Sequence, residues 1–133
     1  MEKEFVPYEL ALELKKLGFF EECLGFYIWQ SWNNNSRLEI GNDDEYTCET
    51  IKAPLYQQAF EWFREKYDCE AIYNIIPPEA YKNNDKIKKY SWYVWNLHSD
   101  PRIQPNHRGF VDTYEEARLV CLEKLIEIAK KQK

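Results

Sequence analysis

The spacing of apolar positions along the chain predicts three helices. The first, "YELALELKKL", follows Pro7 and ends before Gly18, since proline suits a first helical position and glycine the position after the end. The second, "APLYQQAFEWFREKY", begins at Pro54, and roughly 160° of its circumference is apolar. The third begins at a capping box, in which Glu116 follows Thr113 by three positions. Its predicted buried face consists of Ala117, Cys121, Leu122, Leu125, Ile128 and Ala129.

The segments between the helices are typical of β-strands, because they are rich in aromatic and β-branched residues. In the first half, "CLGFYIWQSW" and "RLEIG" flank the polar turn 33–36. In the second half, "CEAIYNII" and "YSWYVWNL" are separated by a polar loop. The segment "YTCETI" (46–51) is interpreted as a further short strand or an irregular approach to the second helix, and "HSDPRIQPNHRG" (98–109), with two prolines, as a loop.

The order of these elements, α-ββ-α-ββ-α, predicts an α+β fold. The economical architecture is one four- to five-stranded, mainly antiparallel sheet with helices packed on one face. The segments "IKAPLYQQAFEWF" and "VDTYEEARLVCLE" both follow two strands and open a helix with Tyr and Ala three apart, which indicates a weak internal ββα repeat. At 133 residues, the chain is expected to form a single domain spanning 1–133.

The strand "YSWYVWNL" is unusual because it is aromatic on both sides. Alternation divides it into two sides, Tyr90/Trp92/Val94 and Tyr93/Trp95/Leu97. The first strand repeats the pattern, with Leu24, Phe26 and Ile28 on one side and Tyr27 and Trp29 on the other. A strand covered by helices on one side usually carries polar residues on the other. The second side is therefore expected to be covered by one of the chain's own helices, by a second subunit in a homo-oligomer, or by a ligand.

Composition narrows the class of protein. The chain is 44% hydrophobic and 17% aromatic, enough for a packed core, and its net charge of −5 disfavours binding to long nucleic acids. It shows no signal-peptide pattern and no apolar run long enough to span a bilayer, so we expect a cytoplasmic location and no membrane partner. The four cysteines are scattered without a C-x-x-C pair and are expected to be free, mostly buried thiols.

Neither a metal site nor a catalytic centre is indicated by the residue pattern. His98 and His107 are the only histidines, nine residues apart with Asp100 between them, and this spacing does not resemble a zinc site. The four glycines form no phosphate-binding loop, and there is no G-x-S-x-G segment. We therefore expect no metal, no cofactor and no catalytic residues. Enzymatic activity is an open alternative, but the residue pattern does not favour it.

Three segments resemble a known family. "VPYELALELKKLGF", "APLYQQAFEWFREKY" and "TYEEARLVCLEKLIEI" are similar to an uncharacterised family of small proteins carried by phages and prophages of Bacteroidota. The second half is also similar to small α/β sandwich domains of other phage accessory proteins. The resemblance implies a phage or mobile-element gene acting in the cytoplasm of a bacterial host, and it supplies no catalytic residues.

Cationic residues flank the aromatic strand. Lysines at 82, 86, 88 and 89 precede it, and Arg102, His107 and Arg108 follow it. Aromatic rings with nearby Arg and Lys can hold a nucleobase and its phosphates. Arg118, near the N-terminus of the last helix, is a further candidate for an anion. The predicted ligand-binding residues are Tyr93, Trp95, Trp92, Trp29, Lys88, Arg102, His107, Arg108 and Arg118.

These observations favour a non-enzymatic binding protein that sequesters a small nucleotide-like signalling ligand and so counters host defence. The alternative is an antagonist that binds a host protein through its aromatic surface. A hydrolase acting on a nucleotide ligand is the third class.

Overall fold

Three helices alternate with two groups of three strands in the computed structural model of this chain, which describes residues 2–44, 46, 48–77, 79, 88–96 and 107–132. A 3-10 turn at Glu2–Glu4 precedes helix α1 (Tyr8–Leu17). The helices α2 and α3 span Tyr56–Tyr67 and Tyr114–Lys131. The strands are β1 (Gly25–Gln30), β2 (Asn35–Ile40), β3 (Thr50–Ala53), β4 (Cys69–Ile75), β5 (Tyr90–Asn96) and β6 (His107–Val111).

The α+β class and the alternation of helices with antiparallel strands are confirmed, whereas the number and arrangement of strands need correction. Within the described residues, each half contains three strands, and they form two three-stranded sheets, β2-β1-β3 and β4-β5-β6, instead of one sheet of four or five strands. The strand β3 partly overlaps the segment 46–51. The strand β6 was missed, because its first three residues fall in the predicted loop 98–109 and glycine at its centre is unfavourable in strands.

The chain divides into two compact units, Met1–Ala59 and Phe60–Lys133, and the boundary lies inside α2. The two units have different strand orders, since the central strand is the first of its group in one sheet and the second in the other. The likeness between the halves is therefore limited to the order of elements, three antiparallel strands followed by a helix, and does not extend to the order of strands in the sheet. The expectation of a single domain over 1–133 stays a prediction.

In the first unit, α1 and the segment before it pack on the sheet. The backbone N–H of Val6 donates to the carbonyl of Pro54 (2.9 Å), and the hydroxyl of Tyr27 donates to the carbonyl of Val6 (2.7 Å). The helix buries Leu14 and ends at Gly18, whose φ of 102° lies in the left-handed region that glycine tolerates. These contacts cover the side of β1 that carries Tyr27.

The strand β2 forms one edge of the first sheet. Its side chains are exposed or half-buried, and the guanidinium Nε of Arg37 lies 2.6 Å from the carboxylate of Glu39 two residues along the same strand. The pair lies on the side of the sheet that also carries Phe26, which faces Glu39 across the β1–β2 ladder. Because Arg37 is exposed and Glu39 only half-buried, solvent screens this ion pair, and it contributes little to stability.

In the second unit, α3 covers one side of the sheet β4-β5-β6. Thr113 caps the helix by accepting a hydrogen bond from the Glu116 backbone N–H (3.1 Å), which confirms the predicted start of the helix. All six residues of the predicted apolar face are buried, together with Arg118 and Ile126. Trp92 and Val94 of the central strand are buried on the helix-covered side, so α3 contacts the side predicted to contain Tyr90, Trp92 and Val94.

Gly109 provides the space that the Trp92 indole occupies. The two residues are directly opposite each other in the β5–β6 ladder. A Cβ atom at position 109 would lie 2.8 Å from Trp92 Nε1 and 3.0 Å from Cε2 and Cζ2, closer than van der Waals contact allows. A glycine in this strand is therefore explained by packing and not by an unusual backbone angle.

The four cysteines are free, and their environments differ. Cys69 and Cys121 are buried, Cys23 is half-buried and Cys48 is exposed. Burial raises the pKa of the Cys121 thiol to about 12 and that of Cys23 to about 11, and it also raises the pKa of Cys69. The prediction of mostly buried thiols holds for Cys69 and Cys121 and is wrong for Cys48.

These environments predict the reactivity of the thiols, because the thiolate is the reactive form. At pH 8, one thiol per chain is expected to react rapidly with an aromatic disulfide reagent, and the other three only after unfolding in denaturant. The rapid phase should disappear in Cys48→Ser and persist in Cys23→Ser. A rapid phase that survives Cys48→Ser would contradict the assignment.

Candidate ligand-binding face of the second sheet

The side of the second sheet opposite α3 carries aromatic residues of β5. The sequence alone did not determine what covers them. We name this side the Tyr93 face and define it by the residues that alternation and strand register place together: Glu70, Ile72, Asn74, Ser91, Tyr93, Trp95, Arg108 and Phe110. Tyr93 is its centre, since Ile72 and Arg108 lie directly beside it on the neighbouring strands. Every strand of the sheet contributes to this face.

The Tyr93 face combines exposed apolar side chains with one exposed cation. Phe110 is 62% exposed and Ile72 41%, whereas Tyr93 and Trp95 are half-buried. Arg108 is exposed, and within the described part of the chain no carboxylate forms an ion pair with it. A cation between aromatic rings can bind a planar, anionic molecule, because the rings stack and the guanidinium donates to the anion.

A concavity of about 530 Å³ opens at the β6 side of this face. Its described lining is Tyr93, Arg108, Gly109 and Phe110. This volume lies within the range of pockets that hold small organic ligands. The concavity therefore contains two aromatic rings and the guanidinium, and its described lining contains no acidic side chain.

The acidic residue of the Tyr93 face is already neutralised. Glu70, beside Trp95 in the β4–β5 ladder, accepts two hydrogen bonds from Arg64, one from Nε (2.8 Å) and one from Nη2 (3.1 Å). The Glu70 carboxylate raises the pKa of Arg64, and the bidentate pair fixes both side chains. Repulsion between this carboxylate and an anionic ligand is consequently reduced.

The structure brings together only some of the predicted ligand-binding residues. Tyr93, Trp95 and Arg108 share the Tyr93 face, and Lys88 is exposed just before β5 begins. Trp92 is buried on the opposite, α3-covered side. His107 lies on that side too, where burial and the positive charge of Lys124 lower its pKa. Arg102 lies outside the described residues, as do the lysines at 82 and 86.

Arg118 and Trp29 have other surroundings. Arg118 is only 3% exposed, and its guanidinium lies 5.3 Å from the ring centroid of Tyr114 at the start of α3. The ring of Tyr114 in turn contacts Tyr73 and Tyr90 edge to face. Trp29, in the first unit, stacks on Tyr8 with 5.5 Å between ring centroids. In that unit the second side of the aromatic strand is only partly covered by the chain's own N-terminal segment and the first turn of α1, since Tyr27 is buried but Trp29 is 47% exposed.

Phe110 and Ile72 are members of the Tyr93 face that the sequence interpretation missed. Phe110 belongs to "HRGFV", which alternates between half-buried and exposed positions and ends at the buried Val111. That alternation is a strand signal, but the prolines just before it favoured a loop. Ile72 was assigned correctly to a strand, yet its side depends on the register with β5, which the sequence does not reveal.

The first unit contains a smaller concavity of about 180 Å³, lined in part by Glu22, Cys23, Asp43 and Lys52. Lys52 Nζ lies 3.5 Å from Asp43 and 3.7 Å from Glu22. A hydrogen bond from Thr50 lowers the pKa of Asp43. The ammonium is thus surrounded by carboxylates, which makes this concavity unsuited to an anion.

The net charge is unevenly divided between the units. The first unit has 11 acidic and 5 basic residues, a net charge of −6, while the second has 12 acidic and 13 basic residues, a net charge of +1. Of the two units, the second is therefore the one whose electrostatics tolerate an anionic ligand.

Within the described residues, no group of three or more His, Cys, Asp or Glu side chains is placed to hold a metal ion. In the same part of the chain, no helix is both long and apolar enough to cross a membrane. Comparison of the chain with protein-family models, with curated proteins and with solved structures finds no match.

Proposed function

We propose that this chain is a non-enzymatic binding protein that holds a small nucleotide-like ligand on the Tyr93 face. The observation that carries the proposal is the placement of the exposed Arg108 between Tyr93 and Phe110 in a concavity of about 530 Å³. The rings would stack on a base while the guanidinium binds a phosphate. The neutralised Glu70 and the charge of the second unit support an anionic ligand.

The biological setting of this proposal is a phage or prophage protein in the bacterial cytoplasm that withdraws a signalling nucleotide from host defence. The setting comes from the sequence resemblance alone. Sequestration requires binding without turnover, so the ligand should be recovered unaltered after heat denaturation of the complex. Recovery of a hydrolysed product would identify a hydrolase instead.

The proposal predicts nucleotide binding that depends on Arg108. Isothermal titration against mono-, di- and triphosphates of the four common ribonucleosides is expected to give binding to at least one of them. Arg108→Gln should weaken it by about tenfold or more, because a hydrogen bond to a charged group is lost. The matched control is Arg37→Gln, which removes an exposed strand arginine in the first unit and should leave the affinity within about twofold.

Equal affinities of the Arg108 and Arg37 variants would overturn the proposed site. A complete absence of binding across the panel, with no rise in melting temperature, would overturn the nucleotide as ligand. Circular dichroism is used as the folding control. If Arg108→Gln retains its secondary structure, a loss of binding is not caused by unfolding.

A host protein is the second candidate occupant, favoured by the exposure of Phe110 and Ile72 on the same face. If this candidate is correct, a defined host polypeptide should bind the wild-type chain but not Phe110→Ala. The control variant Trp32→Ala, which changes a tryptophan 79% exposed in the first unit, should bind the same polypeptide. No nucleotide should then bind. A homo-oligomer that covers the face would instead dissociate in Phe110→Ala, as measured by sedimentation.

A further inference from the structure

The aromatic side chains of the Tyr93 face are not clustered but lie in a row across two strands. Trp95 follows Tyr93 by two positions on β5, so both point to the same side. Phe110 follows Arg108 by two positions on β6, and Arg108 is directly opposite Tyr93. Phe110 is consequently the diagonal neighbour of Tyr93, on the side of Tyr93 away from Trp95.

The spacing within this row is set by strand geometry. Residues two apart on a strand are separated by about 6.8 Å, and diagonal neighbours on antiparallel strands by about 7–8 Å. The row Trp95–Tyr93–Phe110 thus offers three rings at nearly equal intervals. Sheets that recognise single-stranded RNA use aromatic side chains on neighbouring strands to stack two or three successive bases.

The concavity is lined by only part of this row. Its described lining includes Tyr93 and Phe110 but not Trp95, which is half-buried beside Glu70 at the other end. A mononucleotide bound at the concavity would leave the Trp95 ring unused. Arg108 lies beside the middle ring, where the phosphate between two stacked bases would lie.

We propose that the ligand of the Tyr93 face is a short oligonucleotide of two or three nucleotides, in which each base stacks on one ring of the row and one bridging phosphate binds Arg108. This inference rests on the proposed function, because it specifies the ligand of the same site. It also limits the length of the ligand, since three rings hold at most three bases. The net charge of −5 opposes binding of a long polyanion.

The test compares ligands of increasing length by isothermal titration at constant salt: AMP, and 5′-phosphorylated linear di-, tri- and hexaadenylate. Stacking one base on an aromatic side chain corresponds to a change in affinity of about five- to 150-fold. Affinity should therefore rise with each nucleotide up to three, and hexaadenylate should bind no tighter than triadenylate. Cyclic diadenylate is included as a separate arm, because tighter binding of the cyclic form than of linear diadenylate would assign the two bases to a cyclic ligand.

Two variants of Trp95 isolate the third ring. Trp95→Leu keeps an apolar side chain of substantial size, whereas Trp95→Ala removes it, and both should abolish the gain from the last nucleotide. AMP affinity should stay within about twofold of wild type in both, and Trp32→Ala should behave as wild type with every ligand. Circular dichroism shows whether each variant is folded. If Trp95→Ala is unfolded, the test is made with Trp95→Leu alone.

The outcomes separate this inference from the proposed function. If AMP binds in an Arg108-dependent manner but longer ligands bind no tighter, the function stands and the oligonucleotide inference is overturned. The same conclusion follows if the Trp95 variants retain the full gain. If another mononucleotide of the first panel binds but no adenylate does, the same length series is made with that base and decides the inference. If no mononucleotide of the first panel and no adenylate of any length binds, both the proposed function and the inference are overturned.

Discussion

Replacing Trp92 with alanine is expected to lower the free energy of unfolding by about 3–5 kcal/mol, the usual cost of removing a large aromatic side chain from a core. The indole is buried against Gly109 on the α3-covered side of the second sheet. The free energy is measured by urea denaturation followed by circular dichroism. Trp32→Ala, which removes a tryptophan 79% exposed, should change it by no more than about 0.5 kcal/mol.

The contact between Trp92 and Gly109 adds a second variant to this prediction. Gly109→Ala alone should be destabilising by about 1–3 kcal/mol, because the new methyl group would overlap the indole. In a Trp92→Leu background the same change should cost less, since the smaller side chain leaves room. Equal costs in the two backgrounds would show that the steric explanation of Gly109 is wrong.

Leu14→Ala is expected to lower the free energy of unfolding by about 2–5 kcal/mol, because Leu14 is fully buried in the first unit. The matched control is Leu24→Ala, the same chemical change at a leucine that is 57% exposed. Thermal unfolding of both variants is followed by calorimetry. The control should melt within a few degrees of wild type.

The Leu14 and Trp92 variants together test the prediction of a single domain over 1–133. They lie in different compact units, and the boundary between the units falls inside one continuous helix. If the chain unfolds as one cooperative domain, both variants lower the same single transition, with equal calorimetric and van't Hoff enthalpies. Two transitions, each lowered by only one variant, would replace the single domain with two.

Local features of the fold could be predicted because their signals are local. The proline and glycine around α1, the apolar arc of α2 and the Thr113 capping box each depend on a few neighbouring residues, and the helices begin and end close to the predicted positions. The two sides of β5 could also be predicted, since alternation alone separates Trp92 and Val94 from Tyr93 and Trp95.

The pairing of strands could not be predicted in the same way. Whether β1 pairs with β3 or with a strand of the other half depends on contacts between residues far apart in the chain, and one sheet or two satisfies the same local pattern. The sequence also does not reveal which side of β5 is covered by α3, because both sides carry aromatic residues of similar hydrophobicity. For the same reason, Trp92 was included among the ligand-binding candidates although it is buried beneath α3.

The Arg37–Glu39 pair on β2 has a consequence for the behaviour of the protein at high concentration. An edge strand with unpaired backbone groups can recruit a strand from another chain and begin an aggregate, and charged side chains on the edge oppose this because the joined strands would have to bury them. Although the pair adds little to folding stability, it would oppose the addition of a strand from another chain at the β2 edge of the first sheet.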